Sequence, residues 1–161
     1  MKLTPRITLV CGDKGQYRTE NAAYTADSGK WIPRRVRYRV GLRLSGNKTT
    51  QVKVMMVDSD PHVPQIPADL RPLNADSSPT FVVYPKDRIT DFVEIVSYPF
   101  TNEETGEPTE IQVAVQRGSL LIARGRYEFT LLVQATDVPS CEQRFVVEVD
   151  ECDELQFYAK Q

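Results

Sequence analysis

Apolar and polar residues alternate along most of this chain with a period of two, and the alternation is cleanest in KWIPRRVRYRVGLRLSG. There Val36, Tyr38, Val40, Leu42 and Leu44 fall on one side, and Arg35, Arg37, Arg39, Gly41 and Arg43 on the other. Such a pattern predicts a half-buried strand of an antiparallel sheet. SGNKT (45–49) is rich in turn formers, and TQVKVMMVDSD follows with Val52, Val54 and Met56 alternating against Lys53 and Met55. The two strands read as a hairpin.

Other segments extend the pattern. ITLVCG (7–12) is a short strand, and the polar stretch from Gly12 to Gly29 is expected to cross a sheet edge. The stretch 61–79 carries Pro61, Pro64, Pro67, Pro72 and Pro79, a density incompatible with ladder pairing or regular helix, so it reads as a long crossover; ADLRPL within it could form one helical turn. Strands resume at TFVVYP, DFVEIVSYPF and EIQVAV, the last after the acidic turn NEETGEPT. Two long candidates, GRYEFTLLVQA (125–135) and CEQRFVVEVDE (141–151), are joined at TDVPS, and LQFYA is a further short strand. In these, Tyr127, Phe129, Leu131 and Val133 share one face and Phe145, Val147 and Val149 another. No segment sustains a 3.6-residue period, so helix should be scarce. The fold class expected is all-β: one antiparallel domain over residues 1–161, a sandwich of about 7–9 strands.

A glycine two residues before a tyrosine that opens a long strand, Gly125 and Tyr127 in GRYEFTLLV, resembles the tyrosine-corner segment of immunoglobulin-like and fibronectin type III-like domains. The resemblance implies that the Tyr127 hydroxyl bonds back to upstream backbone and pins the arch between the sheets. Phe129 stands where antibody-type domains place their second inter-sheet cysteine, so the likeness is to disulfide-free variants. The order of pieces is also similar to uncharacterised bacterial β-sandwich domains: Tyr38 to Gly41, the Pro-rich 61–79, Gly125 to Tyr127, and Val138 to Glu151. These motifs are structural, so the likeness implies a fold and no activity.

The net charge of −2 predicts neither nucleic acid nor membrane as a partner, but its distribution changes the picture. Residues 28–57 hold eight cations and no acid, which leaves −10 on the rest of the chain. From Val138 onward six acids face two cations, so the two blocks could meet within one molecule. Five of the eight cations are arginines packed between Arg34 and Arg43, and arginine's flat fork favours carboxylates, either those of the last hairpin or those of another chain.

No apolar run approaches the roughly 18 residues of a membrane span, and MKLTPRITLV has no signal-type apolar region. Cys11, Cys141 and Cys152 are odd in number and lack metal-ligand spacing. With extended chain between them, Cys141 and Cys152 are about 30 Å apart, beyond disulfide reach, and reduced thiols in a cytoplasmic setting are expected.

Candidate chemistry is sparse. His62 is the one histidine, so any Ser–His or Cys–His mechanism must pass through it. Asp58, Asp60 and His62 alternate in VDSDPHVP and could ligate a cation, although a polar strand end explains them as well. NEETGEPTE lacks the calcium-loop pattern and reads as a solvated tip; CGDKGQ lacks phosphate-loop spacing. Trp31 could stack a base or acyl chain, or serve as a core plug or edge cover.

These readings assign no catalytic residue and no cofactor. The function expected is a non-catalytic interaction or assembly module with a protein partner or its own copy. The alternatives are an anion-binding domain for nucleic acid or an acidic membrane surface, using Arg35, Arg37, Arg39, Arg43 and Lys53, and a metal-dependent enzyme using Asp58, Asp60 and His62.

Overall fold

A computed structural model of the chain describes residues 5–72, 78, 80–85, 89–97, 110–116, 118–152 and 154–161. In chain order the strands are β1 (Ile7–Val10), β2 (Arg18–Asn21), β3 (Tyr24–Thr25), β4 (Trp31–Ile32), β5 (Arg35–Leu44), β6 (Thr50–Asp60) and β7 (Ala68–Asp69). They continue with β8 (Phe81–Val83), β9 (Ile89–Ser97), β10 (Glu110–Val115), β11 (Gly118–Ala123), β12 (Arg126–Ala135), β13 (Val138–Val149) and β14 (Leu155–Ala159). A single 3₁₀ turn, Gly15–Tyr17, is the helical content among the described residues.

The strands form two six-stranded antiparallel sheets and a two-stranded flap. The first sheet runs β1-β5-β9-β10-β11 with β2 also on β5; the second runs β14-β13-β12-β6-β7 with β8 also on β6; β3 and β4 pair with each other. One apolar cluster draws on both large sheets: Val36, Tyr38, Val40, Leu42, Ile111, Val113 and Leu120 from the first, and Val52, Val54, Met56, Phe129, Leu131, Val133, Phe145 and Val147 from the second. The period-two pattern therefore places the two apolar faces toward one shared core, and burial of these side chains is the main favourable contribution to folding. Two isolated bridges join the sheets at their margins, Leu70 to Val115 and Leu44 to Pro85.

Several expectations change. The strands on either side of SGNKT are not a hairpin: β5 pairs with β1, β2 and β9, while β6 pairs with β12, β7 and β8, so the turn carries the chain from one sheet to the other. Strands outnumber the seven to nine expected, because short pieces in the polar and Pro-rich connections also pair. ADLRPL holds strand β7 rather than a helical turn in its described part, and the crossover around it is packed, with Val63, Ile66 and Leu70 buried. The last long strand begins at Val138, ahead of the expected 141, and Pro139 is tolerated because β14 pairs only with Phe145–Val149, leaving that edge of β13 open. Most of the acidic turn at 102–110 lies outside the described residues.

Tyr127 does not act as the expected tie. Its ring stacks with Phe129 at 5.9 Å, and among the described residues its hydroxyl has no hydrogen-bond partner. A tyrosine tie between the sheets exists, but it is made by Tyr38, whose hydroxyl donates to the Leu155 carbonyl at 3.1 Å.

Candidate functional site: the arginine face of the first sheet

Strand β5 presents Arg35, Arg37, Arg39 and Arg43 to the outside because Val36, Tyr38, Val40, Leu42 and Leu44 are buried inward. Its neighbours set what surrounds them. On one side Arg43 is in register with Thr8, Arg37 with Thr19 and Arg35 with Asn21; on the other Arg39 is in register with Glu94. Further across the sheet the outward positions are Gln112, Ser119, Leu121 and Ala123. Of the acids in register on this face, Glu94 stands opposite Arg39 and Glu110 opposite Ala123.

The arginines are not equivalent. Arg39 bonds Glu94 at 3.3 Å as a half-buried cross-strand pair. Arg37 is held by its neighbours so that its Nε is buried and has no hydrogen-bond partner among the described residues. Arg43 is exposed. A guanidinium N–H turned away from water without an acceptor is unfavourable, and an arriving acceptor would relieve it.

Arg34, one residue before the strand, faces different company. It donates from NH1 and NH2 to the two Glu154 oxygens at 2.7 and 3.2 Å, and from Nε to Glu20. The hydrogen bond from Arg34, then its charge and that of Arg18, holds the Glu20 carboxyl below the ordinary carboxylate value. Glu20 and then Glu154 raise Arg34 in turn, through the hydrogen bonds it donates to them. Arg18 extends the network: its Nε donates to the Tyr38 hydroxyl at 3.0 Å, and its guanidinium lies 5.6 Å from the Tyr38 ring centre. A cleft of about 480 Å³ opens here, lined by Asp13, Arg18, Tyr38, Asp150, Glu154 and Tyr158 among others. Two of its acids are used internally, since Asp150 accepts the backbone N–H groups of Cys152 and Glu154 and Glu154 accepts Arg34. The expected meeting of basic strand and acidic hairpin is therefore real at Arg34 and Glu154.

Lys53 leaves the face, because β6 belongs to the second sheet; its Nζ is 3.4 Å from Asp69. The basic block of 28–57 is consequently divided between the two sheets. Asp58, Asp60 and His62 are exposed, and among the described residues no group of three His, Cys, Asp or Glu is arranged to hold a metal ion. Asp58 instead accepts Arg144 NH1 at 3.1 Å, and Arg144 also bonds Glu128 and Thr130. Cys11, Cys141 and Cys152 are free thiols; burial pushes the Cys11 thiol up, partly offset by a hydrogen bond from the Ala159 backbone.

No protein-family model matches the chain, and no curated protein or solved structure is similar to it.

Trp31 corrects the core-plug reading. It is 60% exposed on the β3–β4 flap, beside Tyr24 at 55%, and the chain runs from this flap directly into the arginine strand. The network of Arg18, Tyr38 and Leu155 was not foreseen. A tyrosine in an otherwise aliphatic inward set is the one signal that could have shown it, since a buried hydroxyl needs a partner.

Proposed function

We propose that this chain is a non-catalytic protein-interaction module, an immunoglobulin-like β-sandwich whose arginine face receives carboxylates of a partner protein or of a second copy. The observation that carries this reading is the outer face of β5: four arginines, with Arg39 paired to Glu94 and the Arg37 Nε buried without an acceptor among the described residues. Arginine is the cation enriched in protein interfaces, where lysine is depleted, and every described cation on this face is arginine. Exposed Trp31 and Tyr24 on the flap leading into the strand add the residue types on which binding energy concentrates. The finer fold likeness is supported by two antiparallel sheets over one core. A cytoplasmic setting fits three free thiols.

The test compares poly-glutamate, duplex DNA and phosphatidylserine vesicles as probes for the protein and its Arg37→Gln/Arg43→Gln variant, read by Trp31 fluorescence. Binding of poly-glutamate weakened about tenfold in the variant is expected, in line with two weakened charge-assisted contacts. Equal binding by parent and variant would refute the role of the face. Preference for DNA or vesicles, with steep loss in salt, would replace this reading with polyanion binding.

A further inference from the structure

The β3–β4 flap and the arginine strand belong to one hairpin. β2 pairs with β5 from Arg18 opposite Tyr38 to Asn21 opposite Arg35, and β3 pairs with β4 at Tyr24 opposite Ile32 and Thr25 opposite Trp31. Each step along one strand is matched by one step along the other, so the register passes the interruption at 22–23 and 33–34 without a slip. Pro33, which has no N–H to give, stands in that interruption.

With no slip, side chains keep their sides. Arg34 still reaches inward, on the side of Val36 and Tyr38, to Glu154 at the β13–β14 turn. Exposed Trp31 accordingly falls on the side of Arg35, Arg37, Arg39 and Arg43, while Tyr24 and Ile32 fall on the other. Along this line Trp31, Arg37 and Arg43 recur every six residues, which is about 20 Å at 3.3 Å per residue. Arg39, between the last two, is already taken by Glu94. Among the described residues β9 pairs with β5 only from Val36 to Arg43, and β1 only from Gly41 to Leu44. Beyond Arg35 the hairpin is therefore a ribbon two strands across, and a partner touching both Trp31 and Arg37 has to follow it lengthwise.

We propose, building on the carboxylate reading of this face, that its occupant is an extended acidic segment of a partner protein carrying a large apolar residue six positions from its carboxylates. The apolar side chain lies on Trp31 and the carboxylates meet Arg37. An extended chain advances by the same distance per residue as β5, so the spacing of the face transfers directly to the segment. Acids alone would make only screened surface contacts, whereas covering the indole removes apolar area from water and supplies the anchor. Charge selects another protein over a second copy: most acids on the described strands are engaged within the chain, among them Asp58, Asp69, Glu94, Glu128 and Glu148.

The test titrates the synthetic peptide Ser-Leu-Thr-Ser-Thr-Ser-Thr-Glu-Glu-Ser and two comparison peptides, one with the leucine replaced by serine and one with it moved to three positions from the first glutamate. Trp31 is the only tryptophan, so its emission reports contact at the anchor. The first peptide should change that emission saturably and bind about tenfold more tightly than either comparison peptide. In Trp31→Ala, read by calorimetry and with an unchanged melting temperature, all three should bind alike. Equal binding of the three peptides by the parent, or a preference kept in Trp31→Ala, would overturn the anchor and its spacing while leaving the carboxylate reading in place. That reading falls separately, if poly-glutamate binds the parent and Arg37→Gln/Arg43→Gln equally. Tighter binding of oligothymidylate than of the leucine peptide, or self-association of the protein abolished by Arg37→Gln, would also overturn the proposal.

Discussion

Replacing Tyr38 by phenylalanine removes one oxygen from the interior and leaves every apolar contact of the ring, including its 5.8 Å approach to Phe157. That oxygen makes two hydrogen bonds, accepting from Arg18 Nε at 3.0 Å and donating to the Leu155 carbonyl at 3.1 Å. The second is the costly loss. Leu155 is buried, so its carbonyl cannot exchange the missing donor for water, and an unsatisfied buried acceptor costs about 1–3 kcal/mol. Arg18 keeps Glu20 and some exposure, so its share is smaller. A total of about 2 kcal/mol lowers the melting temperature of a domain of this size by about 4–8 °C. The matched control is Tyr127→Phe, whose hydroxyl has no described partner, and which should stay within about 0.5 kcal/mol of the parent. Both variants are read by thermal and urea unfolding monitored by circular dichroism, with Arg18→Ala alone and combined with Tyr38→Phe to close a cycle. If Tyr127→Phe destabilises as much as or more than Tyr38→Phe, the inter-sheet tie is wrongly placed and the tyrosine-corner expectation is restored.

Glu128 gives a pH prediction with a definite sign. The Lys160 hydrogen bond, followed by that of Arg144, holds its carboxyl below the ordinary carboxylate value. A depressed folded value contributes stability above the unfolded value, and that stability is lost as pH falls through the folded one. The stability gap between the parent and Glu128→Gln should therefore be widest near neutrality and shrink as pH falls below about 5 in urea titrations; a gap independent of pH would contradict the ion cluster. Asp137, in the two-residue turn between β12 and β13, has φ 62. Asp137→Gly should be neutral or mildly stabilising and Asp137→Val destabilising by about 1–2 kcal/mol in the same assay; equal effects would mean the left-handed turn is absent.

What the sequence made legible follows from how much of the physics is local. Strand β5 was readable from Val36 to Leu44 because a strand with one face buried and one wet has to alternate, whatever lies beyond it. The fate of SGNKT was not, because a turn into a hairpin and a turn into the opposite sheet precede the same alternating pattern. Gly46 at φ 105 shows that the turn signal was sound, and only the pairing beyond it was misread. Strand β6 also hides a shift: its register with β12 slips between Thr130 and Leu131, so inward burial passes from Met56 to Ser59 while Asp58 and Asp60 turn outward. A bulge of one residue leaves no mark in composition, yet it exposes the two aspartates of the supposed metal triad. Lys53 was assigned to the arginine face by proximity in sequence, and the sheet crossing removed it.

Arginine recurs between positions 34 and 43, but its roles separate by distance from the strand's start. At Arg34 the bidentate grip on Glu154 and the bond to Glu20 act beside the Tyr38 tie, so the guanidinium helps fasten the first sheet to the turn between β13 and β14. Lysine could hold one of those carboxylates but not both in this geometry, since its single ammonium lacks the planar fork. At Arg39 the need is lighter: one neighbouring strand, one carboxylate, 3.3 Å. At Arg37 the same side chain has a nitrogen buried and unanswered among the described residues, and at Arg43 it stands exposed. Intramolecular pairing thus explains the residue type at Arg34 and Arg39 and leaves it unexplained at Arg37 and Arg43, which is where a carboxylate from outside the chain would act.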